Sequence, residues 1–265
     1  MDPSTDQRAA GEARPGRRDN EALADRLGVI ALSLEVVDAR ALTPSCRRVR
    51  LGGDDLAALD PLPGQDLMLS LDLDGDRTRR RRYTIRHYDH ERCLVDLDVA
   101  LHGDGPGRRW ATVARTGDLI EAIGPRGKIT LDPDAEWHLF FGDDSFAPAA
   151  LNMAEAVNPN QTVVLAIEID GDGHEQPSEI GATVEGPRWV VRQGALGNPQ
   201  ALEAALADTA LPTGTGHAYV GGEHAMVTRL RDVLIARGMD ADRVSFKPYW
   251  RRGRQNALNG EPDRG

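Results

Sequence analysis

The chain has 265 residues, with 32 Lys and Arg against 42 Asp and Glu and a net charge of -10. That length suits one large domain or two medium ones, and so acidic a chain is a poor general binder of nucleic acid or anionic membrane. Hydrophobic residues are 40% of it, enough for a sizeable core, yet no apolar run is long enough to span a membrane. Cys46 and Cys93 are its two cysteines. Two thiols cannot build a zinc site, a four-cysteine cluster or a disulfide framework, so reduced thiols in a cytoplasmic protein are expected. The N-terminus lacks the apolar stretch of a secretory signal. Aromatic residues are only 5% of the chain, and none precedes Tyr83.

Residues 1–26 are rich in charge, Gly and Pro and read as a disordered arm. Strands then dominate a unit over 27–133. Val29–Val37 is apolar and β-tolerant, and Ser45–Leu51 alternates before stopping at Gly52-Gly53. Leu67, Leu69, Leu71 and Leu73 fall on one face of a third strand. Arg82–Tyr88, Leu94–Leu101, Leu119–Ile123 and Lys128–Leu131 complete a small antiparallel barrel. One helix interrupts it, beginning at Pro106, a residue suited to a first helical position. Over 134–253 the rhythm becomes that of an α/β domain with a parallel sheet. Strands are expected at Trp137–Phe141, Thr162–Ile169, Trp189–Val191, Ala218–Gly221 and Val244–Phe246. Helices are expected at Ser145–Ala156, Pro199–Ala207 and Ala225–Arg237. Residues 254–265 read as a tail.

Arg81-Arg82-Tyr83-Thr84-Ile85-Arg86 is the sharpest local feature. The preceding arginines, Arg77 and Arg79–Arg80, read equally well as a solvated loop. Arg81 and Arg86 bracket a Tyr-Thr pair in a strand. Arg offers a planar fork for phosphate oxygens, Tyr a flat face for a ring, and Thr a hydroxyl for a ring nitrogen. The segment from His102 to Trp110, His-Gly-Asp-Gly-Pro-Gly-Arg-Arg-Trp, lets backbone approach a ligand and opens a helix whose free N–H groups attract anions. It is neither a P-loop nor a GxGxxG after the first strand of a βαβ unit. Alone it is a helix start as readily as a phosphate site.

Together these segments resemble those of the siderophore-interacting proteins, flavin-dependent ferric-siderophore reductases within the ferredoxin-reductase-like flavoproteins. Arg81 to Arg86 resembles that family's R-x-Y-T-x-R, and His102 to Trp110 its H-G-x-x-G-P-A-x-x-W. Leu42-Thr43-Pro44 with Arg47-Arg48-Val49, Gly124-Pro125-Arg126-Gly127, Gly142-Asp143-Asp144-Ser145, Gly222-Glu223 and Tyr249-Trp250-Arg251-Arg252-Gly253 resemble further family segments, in order. The resemblance implies an antiparallel FAD-binding barrel followed by a parallel-sheet NAD(P)H-binding domain.

It implies site residues as well. Arg81 would pair with a flavin phosphate, Tyr83 would stack on the isoalloxazine, and Thr84 would bond its N5 edge. Ile85 lies between them, and Arg86 would support the pyrophosphate or its strand. His102 and Gly105, Pro106, Gly107 and Arg108 would receive the diphosphate, with Trp110 on the same helix. Ser145 would sit where nicotinamide and flavin meet, which makes Thr84 and Ser145 the catalytic candidates. Glu223 would border the nicotinamide-nucleotide cleft. Three departures stand out. Gly107 replaces an Ala, which should loosen the helix start. Ser145-Phe146-Ala147-Pro148 replaces Thr-Ala-Leu-Pro and sets a Phe beside the nicotinamide entrance. Tyr219 replaces a Trp.

Lys247, Arg251 and Arg252, with Arg254 beyond them, form an aromatic and basic segment. It reads either as a strand end with snorkelling charges or as a docking patch for an anionic ferric siderophore, which a chain at -10 would otherwise repel. The histidines show no metal-ligand spacing and read mostly as surface or loop positions. Asp143-Asp144 reads as an acidic helix start explained by the dipole. The expected activity passes electrons from NADPH or NADH through FAD to a siderophore-held Fe(III), with no protein ligand to iron. A ferredoxin is an alternative donor. A non-siderophore acceptor, or binding without turnover, are the alternative functions.

Overall fold

The computed structural model of the protein describes residues 17–71 and 79–253. A helix, α1 (Arg17–Leu27), precedes the first sheet. Seven strands follow: β1 (Ile30–Thr43), β2 (Cys46–Gly52), β3 (Asp66–Leu71), β4 (Arg79–Thr84), β5 (His87–Asp89), β6 (Leu94–Ala100) and β7 (Leu119–Arg126). They form one antiparallel sheet in the order β4-β3-β7-β1-β2-β6-β5. Just past β4, Arg86 N donates to Asp96 O of β6 at 2.9 Å, so the curled sheet meets itself. Leu67, Leu69 and Leu71 all face the enclosed core with Val49, Leu51, Val95 and Leu97, as their period of two requires. Leu73 lies outside the described residues. Lys128–Leu131 is not a strand; β7 already ends at Arg126.

Within the arm expected over 1–26, Arg17–Leu27 is helix α1, and residues 1–16 lie outside the described residues. Its low apolar content hid a stripe of Asn20, Leu23 and Ala24, which packs on Met68, Ile123 and Ala31 of the barrel. Polar bonds hold it down. Arg17 donates to Ser33 Oγ at 2.7 Å, and Ser70 Oγ donates to Asn20 Oδ1 at 3.0 Å.

Helix α2 (Pro106–Val113) leaves β6 and lays Trp110 and Ala111 onto the barrel core. The second unit has a five-stranded parallel sheet. In chain order its elements are β8 (Trp137–Asp143), α3 (Ala147–Glu155), β9 (Thr162–Ile169), β10 (Thr183–Val191), α4 (Gln200–Asp208), β11 (Gly216–Glu223), α5 (His224–Ala236) and β12 (Val244–Trp250). The strand order is β10-β9-β8-β11-β12. Strands β8 and β11 are buried along their whole length, as central strands of a sheet covered on both faces are. The winding direction reverses between β8 and β11, and ligands of such sheets bind outside the carboxyl ends at that point.

Contacts at the far side of the seam from β12 help to lock the two units together. Arg86 forks onto Glu155 of α3, with Nη1–Oε2 at 2.5 Å and Nη2–Oε1 at 2.6 Å. Asn152 of α3 donates to Arg86 O and accepts from Gly64 N. Ser45 Oγ lies 2.7 Å from His174 Nδ1.

Candidate functional site

A cleft of about 650 Å³ opens at the seam between the units, within the usual size of a small-molecule or cofactor site. One wall is β4. It stands at the edge of the barrel sheet, so side chains from both of its faces reach the cleft. The second wall is the loop into α2, and the third is Ser145 with the segment from Lys247 to Gly253. Seven Arg or Lys side chains line the cleft against three Asp. In a chain at -10 that local excess draws anions inward.

Of the residues singled out in the sequence, Arg81, Tyr83, Thr84, His102, Gly105, Pro106, Gly107, Arg108, Ser145, Lys247, Arg251 and Arg252 meet here. Tyr83 packs against Trp110 with ring centroids 5.9 Å apart. Its hydroxyl lies over Gly107, where an added Cβ would fall 1.9 Å from it. The missing methyl therefore seats Tyr83. Thr84 shares a side-chain hydrogen bond with Tyr249, whose hydroxyl burial pushes above its ordinary pKa. Helix α2 has no side-chain cap at Gly105, and its approach at Gly103 and Gly105 borders open space. An uncapped helix start with arginines opposite it fits a diphosphate. Burial holds the His102 imidazole below its ordinary pKa against the pull of Asp143.

Four expected site residues lie elsewhere. Ile85 is buried in the barrel core. Arg86, 1% exposed, is spent on Glu155 and Pro177 O. Trp110 supports Tyr83 from behind and does not line the cleft. Glu223 is buried and caps α5, accepting from Ala225 N and Met226 N, while its other oxygen accepts from Arg252 N at 3.1 Å. Three backbone N–H groups thus hold the Glu223 carboxylate in place. Phe146 is likewise no gatekeeper. It fills the space over Gly142 and Gly221 and meets Tyr249 edge-on at 6.0 Å.

Lys247 borders the cleft but is not an isolated surface cation. Its Nζ lies 3.1 Å from Asp66 Oδ2 and 5.5 Å from the Tyr249 ring centre. Asp66 is buried and also takes the Arg82 guanidinium at 2.7 Å. The Arg252 guanidinium donates to Leu196 O. Arg254 lies outside the described residues. Sequence reasoning missed Asp66 and Asp98 in the cleft. Asp98 carried a signal. Arg48 and Arg50 on β2 stand opposite Asp98 and Asp96 on β6, and each forms a two-pronged pair.

The histidines are less peripheral than expected. His138 and His217 are buried. His217 lies between Asp132 Oδ2 at 2.8 Å and Ser245 Oγ at 2.9 Å. Of this Ser-His-Asp chain, Ser245 borders a cavity of about 10 Å³, room for one water and not for an acyl substrate.

Asp144 is buried, and its Oδ1 has no hydrogen-bond partner. Burial, and then the neighbouring Asp143, pushes its carboxyl up to about 8. The folded protein thus keeps a proton that the unfolded chain loses near 3.8, and stability falls as pH rises between these values. Asp144→Asn is expected to flatten that fall and to stabilise the protein more at pH 8 than at pH 5. Urea titrations at the two pH values check this.

The family model described as siderophore-interacting FAD-binding domain matches residues 69–129, and the model described as siderophore-interacting protein matches residues 135–253. A crystal structure of a siderophore utilization protein from T. fusca superposes with a TM-score of 0.76 at 30% identity, covering 87% of this chain and 96% of that one. The chain belongs to the siderophore-interacting protein family. An uncharacterized Mycobacterium tuberculosis relative of this siderophore-interacting protein is 33% identical over 264 residues, covering 85% of this chain and 92% of the relative. The ferric vibriobactin reductase of Vibrio cholerae is 32% identical over 184 residues, 66% of this chain and 65% of its own. The NADPH-dependent ferric-chelate reductase of Escherichia coli is 27% identical over 182 residues, 67% of this chain and 68% of its own. The barrel is the FAD-binding domain of the family, and the parallel sheet is its second domain.

Proposed function

We propose that this chain is an FAD-dependent ferric-siderophore reductase that takes electrons from a reduced nicotinamide dinucleotide and releases iron as Fe(II). The observation that carries the reading is the composition of the seam cleft. Arg81, Tyr83 and Thr84 on one strand face an uncapped helix start, and Ser145 stands across at the switch point of the parallel sheet. The names of the Vibrio and Escherichia relatives supply the reaction class.

In this reading Arg81, His102 and the α2 backbone from Gly105 to Arg108 hold the FAD diphosphate. Tyr83 gives the ring system a flat partner, and Thr84 offers its hydroxyl at the ring edge. A bound flavin supplies the conversion between a two-electron hydride donor and one-electron acceptors. Ser145 orients the dinucleotide. Lys247, Arg251 and Arg252 draw an anionic ferric siderophore to the open side. Fe(III) is a hard cation held tightly by siderophore oxygens. Fe(II) is softer and is held less tightly, so one electron per iron releases it. We place the protein in the cytoplasm, where its two unpaired thiols, Cys46 and Cys93, persist.

The test is spectroscopic. The purified protein should be yellow, bleach anaerobically with NADPH or NADH, and yield chelator-trapped Fe(II) when ferric siderophore is added. Bleaching by a reduced ferredoxin alone would change the donor. Bleaching without siderophore-dependent Fe(II) would change the acceptor. A yellow protein that nothing reduces would be a binder without turnover, and a protein that takes up no FAD would sink the reading.

Lys247→Ala is expected to raise the KM for an anionic siderophore several-fold and leave flavin content intact, because Arg82 still holds Asp66. Steady-state kinetics check this, and an unchanged KM removes Lys247 from the site.

A further inference from the structure

Asp143 ends β8 and has no exposed surface. Four donors converge on its carboxylate. Ser145 N and Ser145 Oγ donate to Oδ1 at 3.0 and 2.5 Å. Glu223 N and Trp250 Nε1 donate to Oδ2 at 2.8 and 2.9 Å. The helix dipole does not account for this arrangement, since α3 begins at Ala147 and has no side-chain cap. The four bonds instead gather two strand ends and the segment at the end of β12. Ser145 and Trp250 both line the cleft, and Trp250 also packs on His102 at 4.9 Å.

The donor pattern fixes what Ser145 offers. A hydroxyl has one proton and two lone pairs, and a carboxylate only accepts. With its proton committed to Asp143, Ser145 Oγ presents lone pairs to the cleft.

We propose that Asp143 is a positioning residue: it holds Ser145 as a pure acceptor, selecting a dinucleotide whose ring bears an N–H donor, and it fixes Trp250 beside that acceptor with its other oxygen. The group this fits is the carboxamide of a nicotinamide, and the group it refuses is the carboxylate of the deamidated analogue. The proposal rests on the reductase reading of the cleft and assigns that reading's donor specificity.

Asn at 143 keeps the size and loses the pattern. One oxygen becomes an NH₂, so either the Ser145 pair or the Glu223–Trp250 pair meets a donor where it needs an acceptor. The experiment uses the FAD-loaded full chain and two readouts. One is equilibrium binding of oxidised NAD and NADP and their deamidated analogues by calorimetry. The other is the split of kcat and KM for the reduced forms. Wild type is expected to prefer amide over acid by about ten- to a hundred-fold, the worth of one unmade hydrogen bond. Asp143→Asn should shrink that preference to a few-fold and raise the dinucleotide KM about tenfold, with FAD content unchanged. Ser145→Ala should abolish the preference, and adding Asp143→Asn to it should change binding less than twofold.

A wild type that binds both analogues equally, or no dinucleotide at all, overturns the proposal while leaving FAD binding in place. So does a Ser145→Ala protein that keeps the preference, even if Asp143→Asn fails to fold. A wild type that takes up no FAD overturns the proposal together with the reading beneath it.

Discussion

Arg86→Ala is expected to cost about 3–5 kcal/mol of folding stability, the usual loss when one partner of a buried ion pair is removed. Arg86 is 1% exposed, and both of its terminal nitrogens fork onto Glu155 while Nη2 also reaches Pro177 O. Asp98 lies 3.9 Å from its Nε. Removing the guanidinium strands Glu155 at the seam, where it otherwise also accepts from Glu179 N. Burial pushes the Glu155 carboxyl up, but the Arg86 bonds outweigh it and hold the carboxyl below its ordinary 4.5. A depressed carboxyl contributes stability above its unfolded pKa and loses it as pH falls. The deficit of the variant should therefore be full at pH 7 and shrink below about pH 4. Chemical denaturation at several pH values measures it. An Arg86 acting on the flavin phosphate would instead lower FAD affinity at little cost to stability.

Gly142→Ala is expected to be worse, at about 4 kcal/mol or more, or to yield no folded protein. A Cβ at 142 would lie 2.1 Å from the backbone oxygen of Gly221 and 2.6 Å from Phe146 Cδ1. A side chain can rotate away, but the backbone of β11 is locked between β8 and β12. Gly107→Ala offers the contrast. Its clash is with the Tyr83 hydroxyl, the far end of a side chain that can swing. Soluble yield, circular dichroism and thermal melts of the two variants separate a blocked backbone from a displaced ring.

A short, mostly apolar run announced the buried strand β8, and the leucine alternation announced β3, because burial on two faces or one leaves those patterns in the sequence. The cleft followed from local motifs, since β4 and the α2 start each carry their own ligand-facing groups. What escaped was non-local. Glu223 and Arg86 have the residue types of a ligand site, but their partners, Arg252 N and Glu155, lie 29 and 69 positions away. Asp143 looked like an ordinary acidic helix start because Trp250 is 107 positions away. Helix α1 escaped for a different reason. Three positions facing the barrel suffice to dock it, too few to raise the apolar content of the segment.

Strand β4 also bears on self-association. Among the described residues it is an edge, paired on one side only, and Arg79, Arg80, Arg81 and Arg82 occupy four of its six positions. Unpaired edge backbone invites another chain to add a strand, and rows of like charge discourage it. The arginines that face the cleft are therefore also guards against strand addition. Stripping several at once to map a ligand would open that edge, so lost FAD affinity in such variants needs to be read beside their state of aggregation.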